Sequence, residues 1–222
     1  MKIAYQGVAG SYSESCAKEK YPDCETIPCK TFDECFEKAN NDSLVKAIIP
    51  ESNKTTGNIG VEYLIFKYRL NIFAEHFFPI NHNLLGLPGS KLSDIKDVYS
   101  HAQALSQSSI FIKKNKLNEN VRADTAGSAK YISEAKDKSK GAISSKLSAD
   151  IYNLQILDSN IQDEKENVTR FLIMQKDIFQ PELQNEKYIT SLLFKLKSKA
   201  GALYSALGSF TLNGVNLTKL QS

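Results

Sequence analysis

Strand-like and helix-like segments alternate along most of this chain, and that alternation most narrows the folds open to it. The runs KIAYQ (2–6) and VKAIIPE (45–51) are apolar and typical of strands. Each precedes a segment with a helical pattern, SYSESCAKEKY (11–21) and GVEYLIFKYRL (60–70). Such alternation indicates parallel strands joined by crossover helices, so the sequence predicts an α/β fold.

Composition excludes several classes of protein. The chain has 222 residues, of which 41% are hydrophobic and 24% charged, as in soluble globular proteins. The net charge of +3 is too small to indicate a nucleic-acid partner. The sequence has neither a signal-peptide pattern nor an apolar run of the roughly 18 residues that a membrane helix needs, so we expect a cytoplasmic protein without a membrane partner. The four cysteines form no C-x-x-C pair, and we expect no metal site.

Two polar stretches suggest domain boundaries. At LPGSKLSD (87–94) the chain is expected to enter a second lobe, and NVTRF (167–171) can cross back into the first. After DIFQPELQNEK (177–187), an alternating segment, a helix and a strand start would form a small βαβ unit, too short to bury its own core. The predicted bounds are 1–77 with 165–178 for lobe 1, 78–164 for lobe 2, and 187–222 for the C-terminal unit.

The turns that follow the predicted strands carry the candidate binding residues. In open α/β sheets, ligands bind beyond the carboxyl ends of the strands. Turn and capping preferences alone also explain each of these residues. Taken together, several helix N-termini with hydroxyls and amides favour an anionic small molecule, with more than one carboxylate allowed. The residues are Ser11, Asn53, Ser100, His101, Gln103, Thr125 and Gly127.

The segment NVTRFLIM (167–174) has the pattern of a strand. Side chains alternate between the faces of a strand, so Thr169 and Phe171 share one face and Arg170 points to the other. From the pattern alone, Thr169 is either a plain strand residue or a proton donor at a cleft. Thr169 and Arg170 are therefore expected to have different roles.

Several segments together resemble the prephenate dehydratases. They are IAYQGVAGSYSE, EHFFPINHNLLG, SHAQALSQ, DTAGSAK and NIQDEKENVTRFLIM, and their order and spacing match that family from Met1 to the end of the chain. The T-R-F motif with its preceding polar run is the most specific of them. The tail GALYSALGSFTLNGVNLTKLQS resembles the start of an ACT domain, the family's regulatory module.

The resemblance implies a function and a site. Family members convert prephenate to phenylpyruvate in L-phenylalanine biosynthesis, without metal or organic cofactor, between two lobes like those of a type II periplasmic binding protein. The catalytic residues would be Thr169, Arg170 and Phe171. The substrate-binding residues would be Ser11, Asn53, Ser100, His101, Gln103, Thr125, Ala126 and Gly127. The ACT match places an effector motif at Gly201, Ala202 and Leu203.

Some positions depart from the family pattern. Ala102 replaces the proline of S-H-P-Q, and in PESNKTTG Ser52 and Lys54 replace the glutamate and serine of P-x-E-N-S-x-x-G. Gln221 replaces a glutamate of the ACT motif E-S-R-P. An L-phenylalanine effector is expected only if a full ACT domain exists. The family also implies a homodimer or larger oligomer. Two alternatives stay open: an arogenate dehydratase, and a non-catalytic two-lobed module that binds an anionic metabolite.

Overall fold

The computed structural model describes residues 1–180 and 188–220. The chain divides into two compact units, residues 1–183 and residues 184–222. The first unit contains two sheets, and each sheet is the centre of one lobe. This arrangement confirms the two-lobed α/β fold that the alternation of strands and helices predicts.

Lobe 1 is built on a six-stranded sheet with the order β2-β1-β3-β11-β5, and β4 pairs with β3 outside this path. Strands β1, β2 and β3 are parallel, whereas β11 is antiparallel to both β3 and β5. The strands are β1 (Lys2–Gln6), β2 (Glu25–Cys29), β3 (Val45–Asn53), β4 (Gly57–Asn58), β5 (Asn71–Pro79) and β11 (Val168–Gln175). The helices are α1 (Tyr12–Lys20), α2 (Phe32–Asn41) and α3 (Glu62–Tyr68).

Apolar residues on both faces of this sheet make the core of lobe 1. On one face Phe36 of α2 and Leu64 of α3 pack against Ile49 and Leu172. On the other face Phe171 packs with the strand residues of β1 and β5. Alternating strand positions therefore supply both core layers, as expected for a sheet covered on two sides.

Lobe 2 is built on a five-stranded sheet with the order β10-β6-β9-β7-β8. Strands β7, β8 and β9 are parallel neighbours, and β6 runs antiparallel between β9 and β10. The strands are β6 (Asn83–Gly86), β7 (Asp97–Ser100), β8 (Asn118–Val121), β9 (Lys140–Ser144) and β10 (Gln155–Asp158). The helices are α4 (Ala102–Ser106), α5 (Ser109–Lys114), α6 (Thr125–Ala135) and α7 (Lys146–Ile151), with a short 3-10 turn at Leu92–Asp94.

Two adjacent segments connect the lobes, one between β5 and β6 and one between β10 and β11. The amide of Ile80 donates to the carbonyl of Asn167 (2.8 Å), and the amide of Ile161 donates to the carbonyl of His82 (2.9 Å). Lobe 1 is therefore discontinuous in sequence, because β11 returns to it after the whole of lobe 2.

The glycine turn after β1 contacts lobe 2 directly. The carbonyl of Gly10 accepts hydrogen bonds from Ser145 (2.5 Å) and Ser148 (2.9 Å), and the hydroxyl of Tyr152 donates to Ala9 (2.8 Å). Gly10 has a φ of +89°, and a Cβ there would lie 2.6 Å from the Ser148 hydroxyl. The contact therefore needs glycine for both its conformation and its small size.

The C-terminal unit contains α8 (Ala202–Leu212) within its described residues, 188–220. The strands predicted on either side of this helix are not confirmed, since that part of the chain has no strand. The physical reason is that a strand needs a partner, and so short a unit supplies none. The predicted start of the unit at residue 187 and the replaced position Gln221 lie outside the described residues. Among the described helices none has the length and apolar character to cross a membrane.

Candidate active site

Thr169 lies near the start of β11, in register with Asn53 at the end of β3. The hydroxyl oxygen of Thr169 accepts a hydrogen bond from Asn53 Nδ2, at 2.8 Å, and both side chains are buried. The same Nδ2 donates to Asn167 Oδ1, also at 2.8 Å. The predicted pair Thr169 and Asn53 is therefore brought into direct contact, and Asn167 joins it.

Backbone groups fix which end of the Asn53 amide is the oxygen. Asn53 Oδ1 accepts the amide hydrogens of Thr55 (2.9 Å) and Thr56 (3.2 Å), and the hydroxyl of Thr55 (2.6 Å). Because backbone amides can only donate, the other end must be the NH2 group that faces Thr169. Within the described part of the chain, the hydroxyl hydrogen of Thr169 has no acceptor. It is therefore free to be donated to a ligand.

Lobe 2 completes this cluster with two glutamines from the region of α4. Gln107 Nε2 donates to the Thr55 hydroxyl (2.6 Å), and Gln103 Nε2 donates to the Thr56 hydroxyl (3.0 Å). Gln107 Oε1 accepts from Asn167 Nδ2 at 3.2 Å. The cluster thus joins both lobes and the connecting segment, and Gln103, one of the predicted substrate-binding residues, belongs to it.

Arg170 points away from Thr169, as the alternation of side chains along a strand predicts. Its guanidinium donates to Glu75 (2.8 Å from Nε) and to Glu51 (3.3 Å from Nη1). Glu51 lies at an irregularity in the β3–β11 register, where Arg170 pairs with Ser52 and the next residue pairs with Pro50. Arg170 therefore bridges β3 and β5, and its catalytic role stays a prediction.

Phe171 also lies outside the cluster. It is 2% exposed and its ring meets that of Phe78 edge-on, with 6.3 Å between centroids. Its position is that of a core residue, and the structure gives no contact that would make it a catalytic group. The T-R-F motif thus contributes one hydroxyl to the cluster, one bridge between strands and one core side chain.

The S-H-A-Q stretch divides between core and surface. Ser100 is fully buried and its hydroxyl donates to the carbonyl of Ile143 (2.6 Å), so its role as a substrate contact stays a prediction. His101 is exposed and caps α4, with Nδ1 accepting the amide hydrogen of Gln103 at 3.3 Å. The first of these residues therefore stabilises lobe 2, and Gln103 is the one that reaches lobe 1.

Two helix starts are capped by their own chain. Ser11, predicted to bind substrate, caps α1 by accepting the amide hydrogen of Glu14 (3.3 Å). The cap of α6 is Asp124, which accepts the amide hydrogen of Gly127 (2.5 Å), so Thr125 is the first helical residue instead of the cap. A carboxylate at this position already complements the positive helix end. Ala126 is fully buried, so only its backbone could meet a ligand.

The structure has two cavities of about 270 Å³ each among its described residues. One lies between α1, the first connecting segment and α7, and its lining includes Tyr12, Asn81 and Lys146. The other lies before α6 and its lining includes Gly127 and Arg122. Among the described residues, Thr169 is not part of the lining of either cavity. The guanidinium of Arg122 is 4.1 Å from the ring centre of Tyr131, a cation–π distance.

Lys54 occupies one of the positions that depart from the family pattern. Its ammonium group forms an exposed ion pair with Glu166, which precedes Asn167 in the second connecting segment. The hydrogen bond from Lys54 lowers the pKa of the Glu166 carboxyl. Exposed pairs of this kind contribute little to stability. The substitution therefore adds a link between the β3 turn and the connecting segment without changing the cluster itself.

Two residues of the cluster, Gln107 and Asn167, were not predicted, although their spacing in the sequence indicates their positions. Gln107 follows Gln103 by four residues, which places both on one helical face. Asn167 precedes Thr169 by two residues, which places both on one strand face. His82, which contacts Gln107, carries no local signal, because its contact depends on the packing of three separate segments.

Comparison with known proteins matches most of this chain to one family model. The model of the prephenate dehydratase family matches residues 3–178. A protein of Arabidopsis thaliana named arogenate dehydratase/prephenate dehydratase 1, chloroplastic, is 40% identical over an alignment of 223 positions, which covers 100% of this chain and 57% of that protein. The chain thus spans little more than half the length of this curated relative.

Two solved structures share the fold. One, titled as a novel type of quorum quenching acylase, is 34% identical with a TM-score of 0.92, and the match covers 100% of this chain and 81% of that one. The other is a prephenate dehydratase from Arthrobacter aurescens in complex with L-Phe. It is 24% identical with a TM-score of 0.85, covering 100% of this chain and 76% of that one.

Proposed function

Because the chain belongs to the prephenate dehydratase family, we propose that it is a dehydratase of L-phenylalanine biosynthesis that converts prephenate to phenylpyruvate. The observation that carries the proposal is the geometry at Thr169. Its hydroxyl accepts from Asn53 Nδ2 at 2.8 Å and keeps its own hydrogen available. The relative from Arabidopsis thaliana supports the same class of reaction.

The reaction needs a proton at one oxygen. Prephenate loses its ring carboxylate as CO2, and the electrons of that C–C bond move into the ring as the C–O bond to the hydroxyl breaks. The departing hydroxyl takes up a proton and leaves as water. Thr169 donates the hydrogen bond, or the proton, to this oxygen. A threonine hydroxyl is a weak acid, so formation of the aromatic ring must supply most of the driving force.

The amide cluster orients this donor before substrate arrives. Asn53 occupies a lone pair of the Thr169 oxygen, so the hydroxyl hydrogen must point elsewhere. Such preorganised donors stabilise charge that develops on an oxygen in the transition state. Asn167 and Gln107 hold Asn53 and its turn in place. Direct contact with substrate is therefore assigned to Thr169, and the amides orient it.

The choice between prephenate and arogenate is the finer part of the proposal. Arogenate carries an ammonium group where prephenate has a keto group, so the two substrates differ in charge. Both lose the same hydroxyl and the same ring carboxylate in the reaction. We take prephenate as the first substrate and arogenate as the alternative. Measuring kcat/KM for both, with phenylpyruvate and phenylalanine as the respective products, decides between them.

Thr169 variants test the proposed reaction. We expect Thr169→Ala to lower kcat by about a hundredfold or more, and Thr169→Ser to retain part of it, because serine keeps the hydroxyl. The assay follows the absorbance of phenylpyruvate in alkali. Wild-type kcat in the alanine variant would refute the role of Thr169. Tight prephenate binding without turnover by the wild type would favour a non-catalytic binding module.

A second candidate function comes from the 34% identical structure titled as an acylase. An acylase cleaves an N-acyl bond with water, and a hydroxyl such as that of Thr169 is a group that can take part in acyl transfer. Release of carboxylic acid from an N-acyl substrate by the wild type, lost in Thr169→Ala, would support this activity. It would not exclude the dehydratase, because both reactions can be measured on one preparation.

The C-terminal unit is proposed to be the start of an ACT domain. Gly201, with a φ of +77°, precedes α8, and Ala202 and Leu203 are in its first turn. L-phenylalanine is the effector to test, by calorimetry on the full-length protein, and sedimentation tests for a homodimer or larger oligomer. Cytoplasmic localisation stays a prediction, and the Arabidopsis thaliana relative is named chloroplastic.

A further inference from the structure

We propose that His82 is a positioning residue: through Gln107 it holds the chain of amides and hydroxyls that ends at Thr169. This inference rests on the proposed dehydratase function for its kinetic part. The argument starts from the place of His82 in the fold, since nothing in the local sequence singles it out.

His82 lies in the first connecting segment and is 2% exposed. Both nitrogens of its ring have partners. Nε2 is 2.9 Å from Gln107 Oε1 in lobe 2, and Nδ1 is 2.7 Å from the hydroxyl of Tyr12 in lobe 1. The imidazole therefore links the connecting segment to Gln107 of lobe 2 and to Tyr12 of lobe 1.

The positions of the hydrogens follow by elimination. The Asn53 amide is fixed by backbone donors, so Asn167 presents its oxygen to Asn53 and its NH2 group to Gln107. Gln107 must then present its oxygen to Asn167 and to His82. Two acceptors cannot share a hydrogen bond, so His82 Nε2 carries a hydrogen and donates it to Gln107.

The neutral Nε2–H form satisfies both nitrogens of the ring. In this form Nδ1 is an acceptor, and the Tyr12 hydroxyl donates to it at 2.7 Å. The carbonyl of Asn81 is a second, more distant acceptor for Tyr12 at 3.1 Å, and it also accepts from Asn83 Nδ2. Burial lowers the pKa of His82, although the hydrogen bond with Gln107 acts in the opposite direction, and this also favours the neutral ring. Neutral His82 is thus held between a donor on lobe 1 and an acceptor on lobe 2.

The consequence for Thr169 passes through Gln107. With its oxygen held by His82 and Asn167, Gln107 can offer only its NH2 group to Thr55. The Thr55 hydroxyl must then donate to Asn53 Oδ1. Without His82, Gln107 loses one of the two donors that orient its amide, and the turn that holds Asn53 becomes less ordered. We expect this to lower kcat more than it raises KM, because His82 is buried and acts through Gln107.

Two variants separate the contact with Gln107 from the rest of the side chain. The NH2 group of glutamine reaches roughly where Nε2 lies, whereas asparagine reaches only as far as Nδ1. We expect His82→Asn to lower kcat about tenfold and His82→Gln to stay within about threefold of wild type. Thermal unfolding of both variants reports any shared loss of stability. Equal kcat values in the two variants would overturn the proposal.

A double-mutant cycle tests whether His82 acts through Gln107. Adding His82→Asn to Gln107→Ala should lower kcat by less than about twofold further, because the contact is already gone. Effects that multiply in the double variant would show that His82 acts by another route, and would overturn the proposal.

Histidine nitrogen NMR gives a readout that does not depend on turnover. The chain has three histidines, and His82→Gln identifies the signals of this one. We expect the neutral Nε2–H tautomer near pH 7, with an Nε2 shift that changes in Gln107→Ala. An Nδ1–H tautomer would overturn the inference even in an active enzyme. A wild type without turnover but with the expected tautomer would count against the proposed function alone.

Discussion

Replacing Asn53 with aspartate should reverse the hydrogen bond that orients Thr169. The two side chains have almost the same shape, so the introduced carboxylate can still accept the amide hydrogens of Thr55 and Thr56. Its second oxygen, however, would lie where Nδ2 now donates to Thr169 and to Asn167, each at 2.8 Å. The Thr169 hydroxyl would then donate to the carboxylate, and its hydrogen would no longer be available to the substrate.

The size of the effect follows from these two contacts. A hydrogen bond to a charged group contributes about 1.5–3 kcal/mol, and the substrate oxygen must compete with it. At about 1.4 kcal/mol for each factor of ten, kcat should fall by roughly 10–150-fold. At Asn167 two oxygens would face each other without a hydrogen, which should lower the free energy of unfolding by about 1–3 kcal/mol.

The assay combines kcat for prephenate with urea unfolding of the same preparations. Asn153→Asp is the matched control, because it makes the same change at an exposed position in the turn after α7. We expect the control to keep wild-type kcat and stability. If Asn53→Asp were folded and within about twofold of wild-type kcat, the orientation of Thr169 by Asn53 would not matter for the reaction.

Two further predictions concern stability. Gly10→Ala should lower the free energy of unfolding by about 2 kcal/mol or more, because its Cβ would lie 2.6 Å from Ser148 Oγ. Gly60→Ala, at φ +80° with open space around it, should cost only about 1 kcal/mol in urea unfolding, and equal losses would refute the packing argument. Burial raises the pKa of Glu14, but hydrogen bonds from the Gly10 amide, Lys18 and Thr26 outweigh this and place it below its ordinary value of 4.5. Glu14 should therefore stabilise the fold above that value and lose this contribution as the pH falls, so Glu14→Gln should flatten the acid decline of stability. An unchanged decline would contradict this.

The lobes could be predicted from the sequence because their strands carry local signals. Apolar runs followed by helical patterns identify most elements of both sheets, and LPGSKLSD falls near the entry to lobe 2. The place of β11 between β3 and β5 could not be predicted, since long-range pairing depends on which edges meet after both lobes have formed. The irregularity at Glu51, which turns a carboxylate toward Arg170, likewise has no local signature.

The candidate site shows the same division. Thr169 and Asn53 were predicted from the family pattern, and in the structure Asn53 Nδ2 lies 2.8 Å from the Thr169 hydroxyl oxygen. The hydrogen bond of Ser100 could not be predicted, because a serine after a strand has the same local pattern whether it faces a cleft or, as here, the carbonyl of Ile143. The links through Gln107 and His82 join three segments that lie far apart in the chain, so spacing along the sequence could not reveal them.

The late position of β11 in the chain has a consequence for how the protein folds. During synthesis all strands of lobe 2, residues 83–158, emerge before Val168, while β3 and β5 of lobe 1 wait without the strand that lies between them. We expect lobe 2 to reach its native contacts first, and the edges of β3 and β5 to be exposed to mispairing until β11 inserts. Because Thr169 belongs to that strand, the nascent chain brings the Thr169 hydroxyl to Asn53 in the same step that closes the sheet.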